Sequence, residues 1–377
     1  MKRTTSTVSA VRPDRGYSVR VAGRANYGVL GIGVVVLVVL AVSPLFAGRQ
    51  VTAGMIGFFI YLTVAQLWNL MLGYAGLISV GQQGFIGIGA YILWFFADIV
   101  HLSPWAAIVL AGVGGMIIAL PAAALVFRLK GGYLAIGTWV IAEVIRLVMT
   151  NIQRAGGAGG IDITASADLV KSYGVEGMYA RVYWWALAAA VIAILATYLL
   201  LRSRSGLGLK AMRDNDLAAE SSGVNLWRSK LYTYVIAGAG CAMAGAVLAL
   251  NNLRVDPSDN FNISWTAYMI FISIIGGVGT IEGPIIGSVI FYVLWKTIGD
   301  LGTWYFVILG VVAIVVTIWS PQGIYGWIVK KTGFMIFPLQ RNLWMIESDG
   351  SSGRSPRGGR WRRRKAEQSA AETASGS

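Results

Sequence analysis

Tyr27 to Ala47 read YGVLGIGVVVLVVLAVSPLFA, 21 residues without a charge. A helix over that run rises about 1.5 Å per residue and crosses the roughly 30 Å of bilayer hydrocarbon. Ahead of it, residues 1–26 carry Lys2, Arg3, Arg12, Arg15, Arg20 and Arg24 against a single acid, Asp14. A cleavable signal has a shorter start and an apolar region of only about 7–15 residues. The run therefore reads as a first transmembrane helix, held with its N-terminus inside by the basic flank.

The same reading extends along the chain. Apolar segments at 27–47, 51–72, 81–100, 105–127, 133–150, 183–201, 231–250, 265–278, 284–299 and 303–320 predict an all-α, polytopic membrane protein of about ten transmembrane segments. Some are short or broken. Residues 133–150 extend about 27 Å as a helix, and 265–278 and 284–299 flank a glycine-rich turn. Those two read either as broken helices or as one re-entrant pair, whose backbone must be buried in protein or line a water-filled cavity. Composition agrees. Of 377 residues, 56% are hydrophobic, only 13% are charged and 48 are glycine. An average soluble domain carries about 25% charge, so a soluble enzyme is excluded as the main reading. One cysteine excludes an internal disulfide framework, and one histidine with one cysteine excludes a His/Cys-rich metal site.

The formal charge of +14 is distributed by topology. With the N-terminus inside, the inner loops are 128–132, with Arg128 and Lys130, and 202–230, with Arg202, Arg204, Lys210, Arg213, Arg228 and Lys230. Ten of the 31 basic residues follow position 320. The outer loops hold only Arg49, Arg154, Lys171, Arg181 and Arg254. This is the positive-inside pattern with both termini cytoplasmic, and it accounts for the charge without nucleic acid. Three regions are expected: a basic N-terminal segment, 1–26; a transmembrane domain, 27–335; and a disordered basic tail, 349–377, read as an anchor near anionic lipid. In the outer loop 151–182, Gly156 to Gly160 read as flexible, and the rest has room for a short surface helix.

The chemistry-bearing residues are few. No G-x-x-x-x-G-K-[ST] loop occurs, so ATP hydrolysis by that route is not expected. Gly277-Val-Gly279-Thr-Ile-Glu282 matches a dinucleotide fingerprint only faintly and lacks a βαβ context. No cofactor is expected. Glu143 lies mid-span, where an acid costs roughly 2.5–3.5 kcal/mol, with Arg146 three residues on. An internal ion pair holding the bundle and a polar lining of a transport path are both open for it. Gln66, Asn69, Gln82 and Gln83 surround a glycine break at Gly73–Gly76, where interhelical hydrogen bonding and path lining are both open, and Thr138 is a further path candidate. In the inner loop, Arg213, Asp214, Asn215, Asp216, Leu217, Ala218, Ala219 and Glu220, closed by Gly223, read as a short helix with Asp214 or Asn215 as N-cap. Asp216 and Glu220 share a face, a like-charge pair that either Arg213 or a partner's basic groups would offset. The segment is either a solvated connector or a docking helix.

Several stretches resemble the permeases of branched-chain amino-acid ABC importers, specifically the LivM-like subunit. They are NLMLGYAGLISVGQQGFIGIGA at 69–90, LKGGYLAI at 129–136 with EVIR at 143–146, LRSRSGLGLKAMRDNDLAAE at 201–220 and GGVGTIEGPIIG at 276–287. The resemblance covers roughly 50–325. It implies a permease subunit of an ATP-driven importer in a bacterial plasma membrane. Its partners would be a second related permease, two ATP-hydrolysing subunits and an external solute-binding protein. The cargo would be branched-chain or related amino acids, urea or short amides being carried within the same family. The loop at 202–230 would then couple to the ATPase, although Ala218-Ala219-Glu220 before Gly223 matches the EAA-x-x-x-G pattern only in altered order. A stand-alone ion-coupled transporter, built on broken helices with Glu143 as ion site, is the alternative.

Overall fold

The computed structural model describes residues 17–20, 25–214, 216–221, 223–320, 322–332 and 342–345. Most of the basic N-terminal segment, and all of the tail 349–377, lie outside them. Two units are distinguished, residues 1–23 with 340–377, and 24–339. In the first, Tyr17–Arg20 pairs antiparallel with Asn342–Met345, Tyr17 opposite Met345 and Arg20 opposite Asn342.

The second unit is helical: α1 (Ala25–Val42), α2 (Arg49–Ala75), α3 (Gln82–Trp94), α4 (Pro104–Val126), α5 (Gly132–Asn151), α6 (Ala165–Arg202), α7 (Arg204–Asp214), α8 (Asp216–Ser221), α9 (Leu226–Asn252), α10 (Pro257–Asn260), α11 (Ser264–Gly276), α12 (Glu282–Ile298), α13 (Thr303–Trp319) and α14 (Gly323–Thr332). Each of the ten apolar segments is helical over most of its length. Six stretches among the described residues are long and apolar enough to cross a membrane: α2, α4, α5, α6, α9, and Trp304–Lys331, which takes in α13 and α14. The chain is thus an all-α, multi-pass membrane protein. The count of ten full spans is not reproduced, because α11 has 13 residues and reaches only about 20 Å. Helix α3 has 13 residues and is lengthened by a π-helical turn, Phe95–Ile99.

Three local expectations change. The segment at 183–201 belongs to a 38-residue helix that begins at Ala165. Gly174, with φ 70° and ψ 169°, breaks that helix between a surface part and the span. Asp98, at the end of α3, fixes its start by accepting from the Thr164 and Ala165 amides at 2.9 and 2.8 Å, which satisfies N–H groups that no helical turn can reach. The Gly156–Gly160 stretch holds a 3-10 turn, Gly157–Gly159, directly after another, Gln153–Ala155, rather than a loose loop. It leads into Ile161–Asp162, which pairs with Arg254–Val255, and Arg254 donates to the Gly159 carbonyl and to Asp162. Finally, the inner segment 202–230 holds two helices, α7 and α8, where one was expected.

Helices α2 and α9 are buried along most of their length, and α5 and α13 are largely exposed. The central packing depends on missing side chains. A Cβ on Gly89 of α3 would overlap the Ala242 carbonyl of α9, and one on Gly245 of α9 would overlap the Ile86 carbonyl of α3. On α4, a Cβ at Gly115 would come within 2.6 Å of the Gly238 carbonyl of α9. Where lipid and side chain are equally apolar, such close backbone approach is what holds helices together. On the other side of α2, aromatic rings fill the space to α11, α12 and α13. Tyr61 lies 4.9 Å and Tyr268 5.0 Å from the Phe291 ring, distances at which offset and edge-on aromatic pairs add to simple burial.

Gly89→Leu tests this packing. Overpacking ordinarily costs about 1–3 kcal/mol, and here the obstacle is backbone that cannot rotate away. The expected result is loss of folded, detergent-extractable protein and a lowered unfolding midpoint. Gly310→Leu, at an α13 glycine with open space around it, is expected to behave as wild type. Equal behaviour of the two variants would contradict the packing described.

Candidate functional site

Between α2 and α3 the backbone is unwound over Gly76–Gly81, yet Leu77, Ser79 and Gly81 are buried. In a membrane such backbone needs partners from the protein itself. It finds them on three helices. Trp68 Nε1 of α2 donates to the Ser79 carbonyl at 2.9 Å. The Val80 amide donates to Thr138 Oγ1 of α5 at 3.0 Å. Thr266 Oγ1 of α11 lies 3.1 Å from the Val80 carbonyl and 2.6 Å from Gln83 Oε1. Gln82 Nε2 donates to Ser79 Oγ at 3.2 Å. Gly81 has no side chain because the α5 backbone at Thr138 occupies that space.

A second unwound turn, Gly277–Ile281, joins α11 to α12. Asn69 of α2 grips it from both sides of its amide. The Gly279 amide donates to Asn69 Oδ1 at 2.8 Å, and Asn69 Nδ2 donates to the Thr280 carbonyl at 2.7 Å. Gly279 adopts φ +82°, which an L side chain rarely takes. The Arg213 guanidinium, from the end of α7, occupies the place of the absent side chain, and the Gly73 carbonyl lies 3.1 Å from it. Just past the turn, Glu282 is 4% exposed and its Oε1 accepts from Tyr325 Oη of α14 at 2.8 Å. The buried Tyr74 hydroxyl lies within electrostatic reach of Glu282, Arg213 and Tyr325.

The polar residues singled out from sequence therefore divide. Gln82, Gln83 and Thr138 gather at the first unwound segment, and Asn69 serves the second. Gln66 is fully buried, and neither atom of its amide has a hydrogen-bond partner among the described residues. Glu143 stands apart. It is paired with Arg146 of its own helix, with Arg146 Nε at 2.9 Å from Glu143 Oε1, and the side chains are 38% and 27% exposed. The ion pair therefore does not join helices of this bundle, because both partners lie on one helix, where they are part-exposed.

In the inner segment, α7 ends at Asp214, α8 starts at Asp216, and Asn215 lies outside the described residues. Leu209, Met212 and Ala219 are buried, whereas Glu220 and Leu207 are exposed. Gly223, at φ +82°, closes α8. Its amide donates to the Glu220 carbonyl at 2.9 Å, and the Val224 amide to the Ala219 carbonyl at 3.1 Å. Arg213 belongs to α7, not to the short helix, and its guanidinium reaches the Gly279 turn. The Asp216 side chain lies outside what is described, so the expected offsetting of the Asp216–Glu220 pair stays an expectation beside that contact.

Sequence reasoning missed Trp68, Thr266, Glu282 and Tyr325. Glu282 alone carried a signal: an acid directly after a glycine turn inside an apolar region. Among the described residues no group of three or more His, Cys, Asp or Glu side chains is placed to hold a metal ion.

The family model described as branched-chain amino acid transport system / permease component matches residues 50–318. The high-affinity branched-chain amino acid transport system permease protein LivM of Salmonella typhimurium is 28% identical over 294 residues, 70% of this chain and 67% of that protein. The LivM of Escherichia coli is 27% identical over 320 residues, 77% and 73% of the two chains. A nucleoside ABC transporter permease, NupC of Lactococcus lactis, is 26% identical over 215 residues, 53% and 65%. No solved structure matches. With its matched region covering both unwound segments and the α7–α8 segment between them, the chain belongs to the permease-component family of branched-chain amino-acid ABC transport systems, and it is a LivM-like transport component rather than an enzyme.

Proposed function

We propose that this chain is one permease subunit of an ATP-driven importer for branched-chain or related amino acids in a bacterial plasma membrane. A second related permease, two ATP-hydrolysing subunits and an external solute-binding protein complete the machine. Both termini are cytoplasmic, α7 and α8 dock the ATPase, and substrate passes along a path that the two permeases enclose. The observation that carries this reading is the pair α7–α8. It lies in the most basic loop between spans, and it is a packed helical element rather than a loose connector. The antiparallel pairing of Tyr17–Arg20 with Asn342–Met345 supports termini on one side, since two hydrogen-bonded strands share a membrane face. The substrate class follows the LivM relatives, which match more of the chain than the nucleoside permease does.

The part-exposed Glu143–Arg146 pair on α5 supports a path beside that helix. A charge pair on the exterior of an apolar helix is costly against lipid and inexpensive against water or another polar protein surface. Glu143→Gln is expected to reduce uptake per molecule more than it reduces the amount of assembled protein, because the pair joins no two helices. Expression and transport are measured together. Wild-type values of both would remove Glu143 from the path.

The docking role is tested by replacing Asp214, Asp216 and Glu220 together with lysine. Insertion is expected to be intact, because inner positive charge is tolerated. Leucine uptake is expected to fall at least about tenfold, since like charges placed across a docked interface cost several kcal/mol. Undiminished uptake would contradict α7–α8 as the docking element.

A further inference from the structure

We propose that the Gly277–Ile281 turn is the element through which motion of α7 reaches the transmembrane helices, with Arg213 and Asn69 as the positioning residues that couple the two. This rests on the assignment of α7–α8 as the ATPase-docking segment, and goes beyond it by naming what the docked segment moves.

Four observations converge on this turn. First, it is held by side chains from elements far apart in sequence. Arg213 meets Gly279 from the last turn of α7, and Asn69 bonds the Gly279 amide and the Thr280 carbonyl from α2. Second, the approach is close on both sides of the turn. Gly279 lacks a side chain where the guanidinium lies, and a Cβ on Gly73 would come within 2.6 Å of the Gly279 amide nitrogen. A displacement of α7 therefore moves a guanidinium that lies against the turn, and the backbone approach of Gly73 leaves the turn little room to yield on its α2 side. Third, the turn is continuous with two helices that reach the polar interior. Helix α11 carries Thr266 to the first unwound segment, and Ser273 Oγ donates to the Ala65 carbonyl of α2 at 3.3 Å. Helix α12 packs on α11 with Gly283 against Gly276 and Gly287 against Ile272. The two helices must therefore move together. Fourth, the buried carboxylate of Glu282 ties the start of α12 to Tyr325 of α14, so the far side of the turn is anchored too. A push from α7 is thus delivered between a fixed α2 and an anchored α14, and its outlet is a tilt of the α11–α12 pair, which carries the Thr266 contact with it.

The test uses the complete complex, purified with its ATPase and reconstituted into vesicles with ATP inside. Leucine taken up and ATP hydrolysed are measured in the same vesicles, and their ratio is the readout. Two variants are compared with wild type. Gly279→Ala places a methyl group where the guanidinium lies, in a backbone conformation that alanine resists. Arg213→Gln removes the guanidinium and leaves both Asn69 hydrogen bonds in place, so it decides the matter where Gly279→Ala fails to assemble. The expected result is uptake per ATP lowered by a factor of about 5 or more, the low end of ordinary coupling between sites. An unchanged ratio overturns the inference, including the case where hydrolysis and uptake fall in proportion, because Arg213 then serves docking alone. The importer assignment survives that result provided that wild-type uptake requires ATP. Wild-type uptake that proceeds without ATP overturns that assignment and the inference with it.

Discussion

Unwound backbone inside a membrane has to find its hydrogen-bond partners within the protein, and in this chain α2 supplies the decisive ones. Trp68 holds the Gly76–Gly81 segment and Asn69, its neighbour, holds the Gly277–Ile281 turn. Adjacent residues on a helix point about 100° apart, so one helix can serve two breaks on different sides of itself. That requires α2 to be surrounded, and it is: α6 and α9 lie against one part of its surface, α11 and α12 against another, and α7 against its end. The rest of the packing follows from keeping this helix enclosed. Glycine and alanine on α3, α4 and α9 bring three backbones close on one side, and an aromatic cluster fills the wider gap on the other.

The arrangement divides the molecule into a tight centre and a loosely packed exterior. Helices α5 and α13 leave most of their surface outside the bundle, and α5 carries its only charged pair there. A single subunit thus presents an outward face that is neither wholly apolar nor closed by its own chain. A path built between two permeases has that property. The short helices, α3 and α11, both abut an unwound segment, so the breaks fall where helices stop short of the full membrane thickness rather than at random glycines.

Much of the architecture was legible in sequence because hydrophobic length is a local property. The apolar segments, the glycine breaks near 76 and 277, and the helical character of the inner loop needed only composition and spacing. The candidate site was legible in kind but not in connection. Asn69 was visible as a polar residue beside a break, yet its partner, Thr280, is 211 positions away, and no periodicity encodes that distance. Sequence separation suggests only local partners for Arg213, and its approach to Gly279 is a tertiary contact that no spacing encodes. Thr266 carried no signal, being one hydroxyl among many in an apolar helix. For Glu143 the spacing to Arg146 was right, but spacing cannot tell how far a helix face is covered.

We propose that a partner's ATP hydrolysis, delivered mechanically at α7–α8, drives transport. Accumulation of labelled leucine by vesicles containing the co-purified complex tests it most directly, with binding protein outside, ATP inside and ionophores present to abolish ion gradients. Accumulation that needs ATP and is indifferent to the ionophores is the predicted result. Accumulation that proceeds without ATP and disappears when the gradients are abolished would contradict it.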